Sequence, residues 1–261
     1  VARTLSKNGI SYVEAGSIDQ PICDRRGDLI CADWGYAYLA STNGSGKSVS
    51  LGDYYGMKES FVKNGTLATT KTKWTTRKEE DNPAMAYVHN LGSVSNSGKE
   101  GFMMLGYDDI YSIEYMYEKR MGYWKHDGKV TIFDAFEKLR DNYQAIMERC
   151  RAFDELIYDD AEKAGGKKYA EICSASYRQV ISAHKLFTDK EGNLLWFSKE
   201  NNSNGCVNTV DLTYPSAPLF LVYNPELQKA MMTSIFEYSA SGRWNKPFPA
   251  HDLGTYPIAN G

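Results

Sequence analysis

The sequence predicts a two-part α+β chain, an antiparallel β portion followed by helices, and two observations carry that prediction. From residue 1 to about 128, short aromatic or β-branched runs alternate with Asn43-Gly44-Ser45-Gly46, Lys63-Asn64-Gly65-Thr66, Asn96-Ser97-Gly98-Lys99 and His126-Asp127-Gly128. Turn-forming clusters at such intervals are the rhythm of antiparallel strands. From Thr131 onward, apolar residues recur at three- and four-residue steps, which is the period of a helix.

Strands are expected over Leu29 to Ala40, Ser60 to Lys73, Met85 to Leu91, Phe102 to Leu105 and Ile110 to Tyr117. In the last, Ile113, Tyr115 and Tyr117 alternate with Ser112, Glu114 and Met116, so one face packs on a core of sandwich type. Ile132, Phe133, Phe136, Leu139, Tyr143, Ile146, Met147, Cys150 and Phe153 then draw one apolar stripe along a single long helix. A second helix follows Gly165-Gly166, burying Tyr169, Ile172, Cys173, Tyr177, Val180 and Ile181. Leu194 to Phe197 reads as a short extended segment. A third helix is expected over Ser216 to Tyr223. A fourth starts at Pro225, because proline suits a first helical turn, and Gly242 closes it. These assignments place a β domain over residues 1–129 and a helical domain over 130–261. Four helices in antiparallel pairs do not close a toroid, so further sequence of the same domain is expected elsewhere.

With 30 basic and 33 acidic residues in 261, the chain has no electrostatic footprint for nucleic acid or anionic lipid. No run approaches the ~18 apolar residues of a membrane span. The chain begins at Val1 without an initiator methionine, so a soluble polypeptide trimmed from a longer one is expected. Five cysteines without a CxxC pair signal neither a zinc knuckle nor a disulfide framework. Nineteen tyrosines and five tryptophans suit concave surfaces that stack and hydrogen-bond polar ligands.

Gly44-Ser45-Gly46-Lys47-Ser48 invites comparison with a phosphate-binding loop, but Ser41 stands where that pattern needs glycine, and a hairpin turn explains the residues better. Asp108-Asp109 and Asp159-Asp160 lack EF-hand spacing and read as solvated turns. His89, His126, His184 and His251 show no paired-histidine spacing, so zinc is not expected, nor any other metal or cofactor. There is no G-x-S-x-G elbow. Cys206 sits in a polar loop that suits a thiolate, yet no base is evident beside it in the sequence.

The densest chemistry lies in two segments predicted to be non-helical, Trp196 to Pro215 and Pro249 to Pro257. Connections between helices gather at one end of a helical toroid, where clefts form. Hydrolysis without a metal or a Ser/Cys nucleophile asks for two carboxyl groups, one ionised to activate water and one protonated for the leaving group. Glu200, Asp211 and Asp252 are the candidates. The plainer alternative is that Asp211 caps a helix and Asp252 bonds its own loop backbone. Trp196, Lys199, Asn201, Tyr214 and His251 surround them as substrate-binding candidates, and Arg178 on the second helix suits a substrate carboxylate. A non-catalytic carbohydrate binder would instead present Trp34, Trp196 or Trp244 as platforms.

The strings Ser198-Lys199-Glu200-Asn201, Ser203-Asn204-Gly205, Thr209-Val210-Asp211 and Tyr214-Pro215-Ser216-Ala217-Pro218 resemble the central domain of the glutaminase A family. Ser241-Gly242-Arg243-Trp244, His251-Asp252-Leu253-Gly254-Thr255-Tyr256-Pro257 and Asp33-Trp34-Gly35-Tyr36 fit the same family, and a bacterial member of it is expected. The resemblance implies an antiparallel β-sandwich-like part followed by the first hairpins of an (α/α)6 six-hairpin barrel, in a secreted or periplasmic protein. It implies hydrolysis of L-glutamine to glutamate and ammonia, while the barrel is shared with glycoside hydrolases, so a small-molecule amide or a sugar is the expected substrate. An incomplete barrel is expected to be inactive by itself.

Overall fold

The computed structural model describes residues 1–28, 32–67, 73–74, 82–199 and 203–261. Two compact units emerge, and neither is continuous in sequence. The first gathers Val1–Gln20, Asp33–Asp109 and Thr131–Asp141; the second gathers Pro21–Ala32, Ile110–Val130 and Asn142–Gly261.

The first unit is built on strands β1 (Ala2–Lys7), β2 (Ile10–Gly16), β3 (Tyr36–Thr42) and β4 (Lys47–Asp53), helix α1 (Tyr54–Asn64), then β5 (Lys73–Trp74), β6 (Pro83–His89) and β7 (Met104–Asp108), with helix α2 (Ile132–Asp141). Five strands form one sheet in the order β5-β1-β2-β3-β7, every neighbouring pair antiparallel, and β4 pairs with β6 in a second sheet. The side chains of β2 alternate as a two-residue period requires. Val13 and Ala15 join Ala2, Trp74, Leu51, Val49 and Met85 in a core shared by both sheets. On the opposite face Tyr12 and Tyr38 meet Phe133 and Phe136 of α2, with ring centroids 5.2–6.2 Å apart. Gly106 permits that approach, since a Cβ there would stand 2.7 Å from Phe136 Cζ.

Several expectations are corrected here. The stretch from Ser60 continues helix α1 to Asn64, because Asp53 caps its start by accepting from Gly56 N at 2.9 Å and Gly65, at φ +66°, ends it. The remainder of that expected strand lies partly outside the described residues, at 68–72, as does the start of the strand expected from Leu29, at 29–31. The long helix expected from Thr131 is two helices that break at Asn142 and belong to different units.

In the second unit β8 (Ile113–Tyr115) and β9 (Glu118–Arg120) form a tight antiparallel pair, because Met116 and Tyr117 both take positive φ and end the longer strand expected to Tyr117. Helices α3 (Tyr143–Gly165) and α4 (Lys167–Ser182) pack together across the Gly166 turn. The hairpin β10 (His184–Thr188) and β11 (Leu194–Ser198) follows, then α5 (Val210–Tyr223), α6 (Pro225–Ala240) and β12 (Ile258–Ala259), which pairs parallel to β8. Asn224 caps α6 by accepting from Leu227 N, with Pro225 in the first turn. Helix α5 begins six residues before the expected Ser216 and carries Pro215 and Pro218 within it. The largest core of this unit joins Ile113, Tyr115, Phe187, Leu195, Phe197, Val207, Ile235, Tyr238, Ala250, Leu253 and Ala259. It anchors Val207 and Leu253, and with them the two segments that carry the candidate site.

Candidate functional site

Backbone hydrogen bonds bring the two chemically dense segments side by side within the second unit. Val207 N donates to Gly254 O at 2.9 Å, Leu253 N to Val207 O at 3.0 Å, Val210 N to His251 O at 2.9 Å and Tyr256 N to Gly205 O at 2.8 Å. Cys206 and Thr255 form an antiparallel bridge, and Lys199 bridges Val207. Asn208 fixes the turn between. It is fully buried, takes φ +56°, which asparagine tolerates better than most residues, and donates from Nδ2 to Met231 O and Ser234 Oγ, both at 2.9 Å. Gly205 leaves no room for a side chain, as a Cβ would stand 2.5 Å from Gly27 O and 2.8 Å from Thr255 Cγ2.

This frame sets His251 between two carboxylates. Asp252 Oδ2 stands 2.9 Å from Nδ1, and Asp211 Oδ1 stands 3.4 Å from Nε2. Asp252 Oδ1 accepts from Gly254 N at 2.7 Å, so both oxygens of Asp252 are committed and its side chain is only 25% exposed. Asp211, in the first turn of α5, is 61% exposed and is the carboxylate open to solvent. Asp252 thus holds its own loop, as the plainer alternative had it, and also orients the imidazole: Nδ1–H donates to it and Nε2 turns toward Asp211. Cys206 completes the group, with its Sγ, one nitrogen of His251 and one oxygen of Asp252 all within 4.8 Å of one another.

The remaining candidates fall in different places. Lys199 lies at the same site, its Nζ 5.6 Å from the centre of the Tyr256 ring. Tyr214 is exposed on α5 and, with Val210, Leu221, Met231, Ile235 and Phe236, lines an apolar groove of about 440 Å³. Arg178 lines a different groove with Asp154, Glu155, Tyr158 and Asp159, and that groove shares no residue with the Asp211 and His251 site. Trp196 is a core residue, stacked on His184 at 5.0 Å and packed on Phe220. Trp34 is buried too, donating from Nε1 to Asp109 O at 2.6 Å, and Trp244 is half-buried against Tyr238. Glu200 and Asn201 lie outside the described residues. Sequence reasoning passed over the juxtaposition of Cys206 with His251 and Asp252, because it arises from pairing between segments some 45 residues apart and leaves no local spacing.

Residues 1–160 match a family model described as a domain of unknown function (DUF5127), and residues 166–261 match the glutaminase A six helical-hairpin domain. Over 236 residues, 88% of the chain, it is 33% identical to Glutaminase A of Aspergillus oryzae. The chain belongs to the glutaminase A family. A second relative, named as a probable glutaminase of Arthroderma benhamiae, is 34% identical over 97 residues, covering 37% of this chain and 11% of its own length. Both relatives are fungal, so they lend no support to a bacterial origin. The chain spans about a third of the length of the Aspergillus relative. Every residue of the Asp211, His251 and Cys206 site falls within the six-hairpin match, and the two antiparallel sheets of the first unit fall within the other. Among the described residues, no helix is long and apolar enough to cross a membrane.

Proposed function

We propose that this chain carries part of the active site of an amidohydrolase that converts L-glutamine and water to L-glutamate and ammonia. The observation that carries the reading is the line Asp252, His251, Asp211, in which one carboxylate orients an imidazole and the other faces solvent beside it. Asp211 is the group that activates water for attack on the amide carbon, and His251 carries a proton to the departing nitrogen. Lys199 is close enough to the same loops to meet a substrate carboxylate. Glu200 is the remaining acid candidate. The same reading takes residues 1–129 as a β-sandwich-like domain and 130–261 as the first hairpins of an (α/α)6 barrel, completed by further sequence, in an exported protein. The names of the fungal relatives and this chain's own match to the glutaminase A six helical-hairpin domain support the glutaminase part of that reading. Trp34 and Trp196 have no open face and cannot serve as carbohydrate platforms, which leaves half-buried Trp244 as that alternative's remaining candidate.

The test is ammonia release from L-glutamine by the protein at its full natural length, with Asp211→Asn, His251→Gln, Asp252→Asn and Glu200→Gln beside it and a panel of aryl glycosides as competitors. Asp211→Asn is expected to lower kcat at least a hundredfold, in keeping with the usual contribution of acid and base groups, with KM and the thermal midpoint little changed. Turnover of a glycoside with none of glutamine would overturn the amidase reading.

A further inference from the structure

Cys206, His251 and Asp252 supply sulfur, imidazole nitrogen and carboxylate oxygen within 4.8 Å of one another. These are the three donor types that protein zinc sites use, whereas calcium and magnesium take oxygen sets. We propose that the three residues form a binding site for one divalent transition-metal ion of the zinc type. Around a tetrahedral cation with ligand distances of about 2.0–2.3 Å, donors stand about 3.3–3.6 Å apart. His251 Nδ1 and Asp252 Oδ2 are 2.9 Å apart, so a cation replacing the proton between them needs them to separate by only about 0.4 Å.

The surroundings are those of a built site. Cys206 N donates to Asn204 Oδ1 at 2.7 Å, Asp252 is held by Gly254 N at 2.7 Å, and His251 O is held by Val210 N at 2.9 Å. The ligand-bearing backbone is therefore fixed from both sides before a metal arrives, which limits the ordering cost of binding. With Nδ1 on the metal, the other ring nitrogen keeps its place 3.4 Å from Asp211 Oδ1. A carboxylate on the far nitrogen of a ligating histidine is the usual outer-shell partner that fixes ring orientation. Cys206 and Asp252 are half-buried and His251 is exposed, so the fourth position opens to solvent and takes water or a small oxygen ligand. The ion would take the place of the His251 Nδ1 proton that the amidase reading leaves on Asp252, so this inference stands apart from that reading, and its test reads metal binding rather than turnover.

The experiment titrates the whole chain with zinc, in competition with a chelating dye, and with cobalt followed by absorption. One equivalent of metal is expected, with a thiolate-to-cobalt charge-transfer band. Cys206→Ser should lose that band, and Cys206→Ser, His251→Gln and Asp252→Asn should each weaken zinc at least tenfold while the far-ultraviolet circular dichroism stays unchanged. Protection of the thiol provides a measurement on the unsubstituted chain: zinc should slow alkylation of Cys206 at least tenfold and leave exposed Cys150 unaffected. A cobalt adduct without the sulfur band, zinc affinity within twofold of the parent in Cys206→Ser, or unprotected Cys206 at saturating zinc would overturn the proposal.

Discussion

The imidazole of His184 lies nearly flat on Trp196, their planes 14° from parallel, and its Nδ1 stands 2.6 Å from Val180 O. Burial holds its pKa below the ordinary 6.5, since a charged ring loses its water there, although the bond to Val180 O opposes that shift. Nε2 has no hydrogen-bond partner among the described residues, so a second proton would be buried without an acceptor. The unfolded chain therefore binds a proton that the folded chain resists. Stability is expected to be unaffected by His184 well above pH 6.5 and to fall as pH drops through and below that value, by at most about 1.4 kcal/mol per pH unit. Denaturant midpoints measured between pH 5 and 8 check this, and His184→Phe should remove this residue's part of the slope. The same stacking explains why Trp196 is closed to ligands. Leu194 to Phe197 reads as an extended run in the sequence, but nothing local says that both faces of that strand are covered, by Phe187 and Leu253 on one cluster and by Phe220 and Met231 on the other.

Helix α1 shows how caps outrank side-chain preference in deciding an element. Phe61 and Val62 favour a strand, and the run from Ser60 reads as one, yet Asp53 and Gly65 bracket a helix of eleven residues. Both signals stand in the sequence, where Lys63-Asn64-Gly65-Thr66 counts as one of the turn-forming clusters between strands, and the structure makes Gly65 a helix C-cap. Asp53→Ala is expected to cost about 1 kcal/mol through loss of the bond to Gly56 N, seen as a lowered urea midpoint, whereas Asp53→Asn should restore most of it. The break at Asn142 was less legible, because the apolar stripe runs on through it. What divides the stripe is tertiary: Phe133 and Phe136 pack on Tyr12 and Tyr38, while Phe153 packs on Tyr177 and Tyr223. Pro215 and Pro218 hid the first turns of α5, since proline is expected at a helix start and here lies inside one that has only slight amphipathic character. That start matters for function, because it places Asp211 in a first helical turn beside His251.

For the molecule as a whole, the sequence disclosed which segments carry chemistry but not which atoms meet. Polar loops rich in carboxylates and amides stood out by composition, whereas the antiparallel pairing that delivers Cys206 to His251 depends on a core assembled from β8, β10, β11, α6 and β12. Long-range pairing of that kind has no local signature. The surface of the second unit carries a further large-scale feature. Tyr214 and Leu221 on α5 and Phe236 on α6 are all at least 60% exposed and line one groove, on helices whose other residues close the core around Phe220 and Met231. A patch of large apolar side chains on two adjacent helices is unusual for a surface meeting only water. The hydrophobic effect then favours covering it, either by more of the six-hairpin domain or by another copy of the chain. The 261-residue chain in isolation is accordingly expected to self-associate, with sedimentation velocity showing a concentration-dependent shift from the monomer. Leu221→Lys combined with Phe236→Lys should return it to the monomer at the same concentrations while leaving the circular dichroism spectrum intact. A parent chain that remains monomeric up to about 100 μM, where contacts with free energies near −5.5 kcal/mol would be half-formed, would show that this face is stable against water on its own.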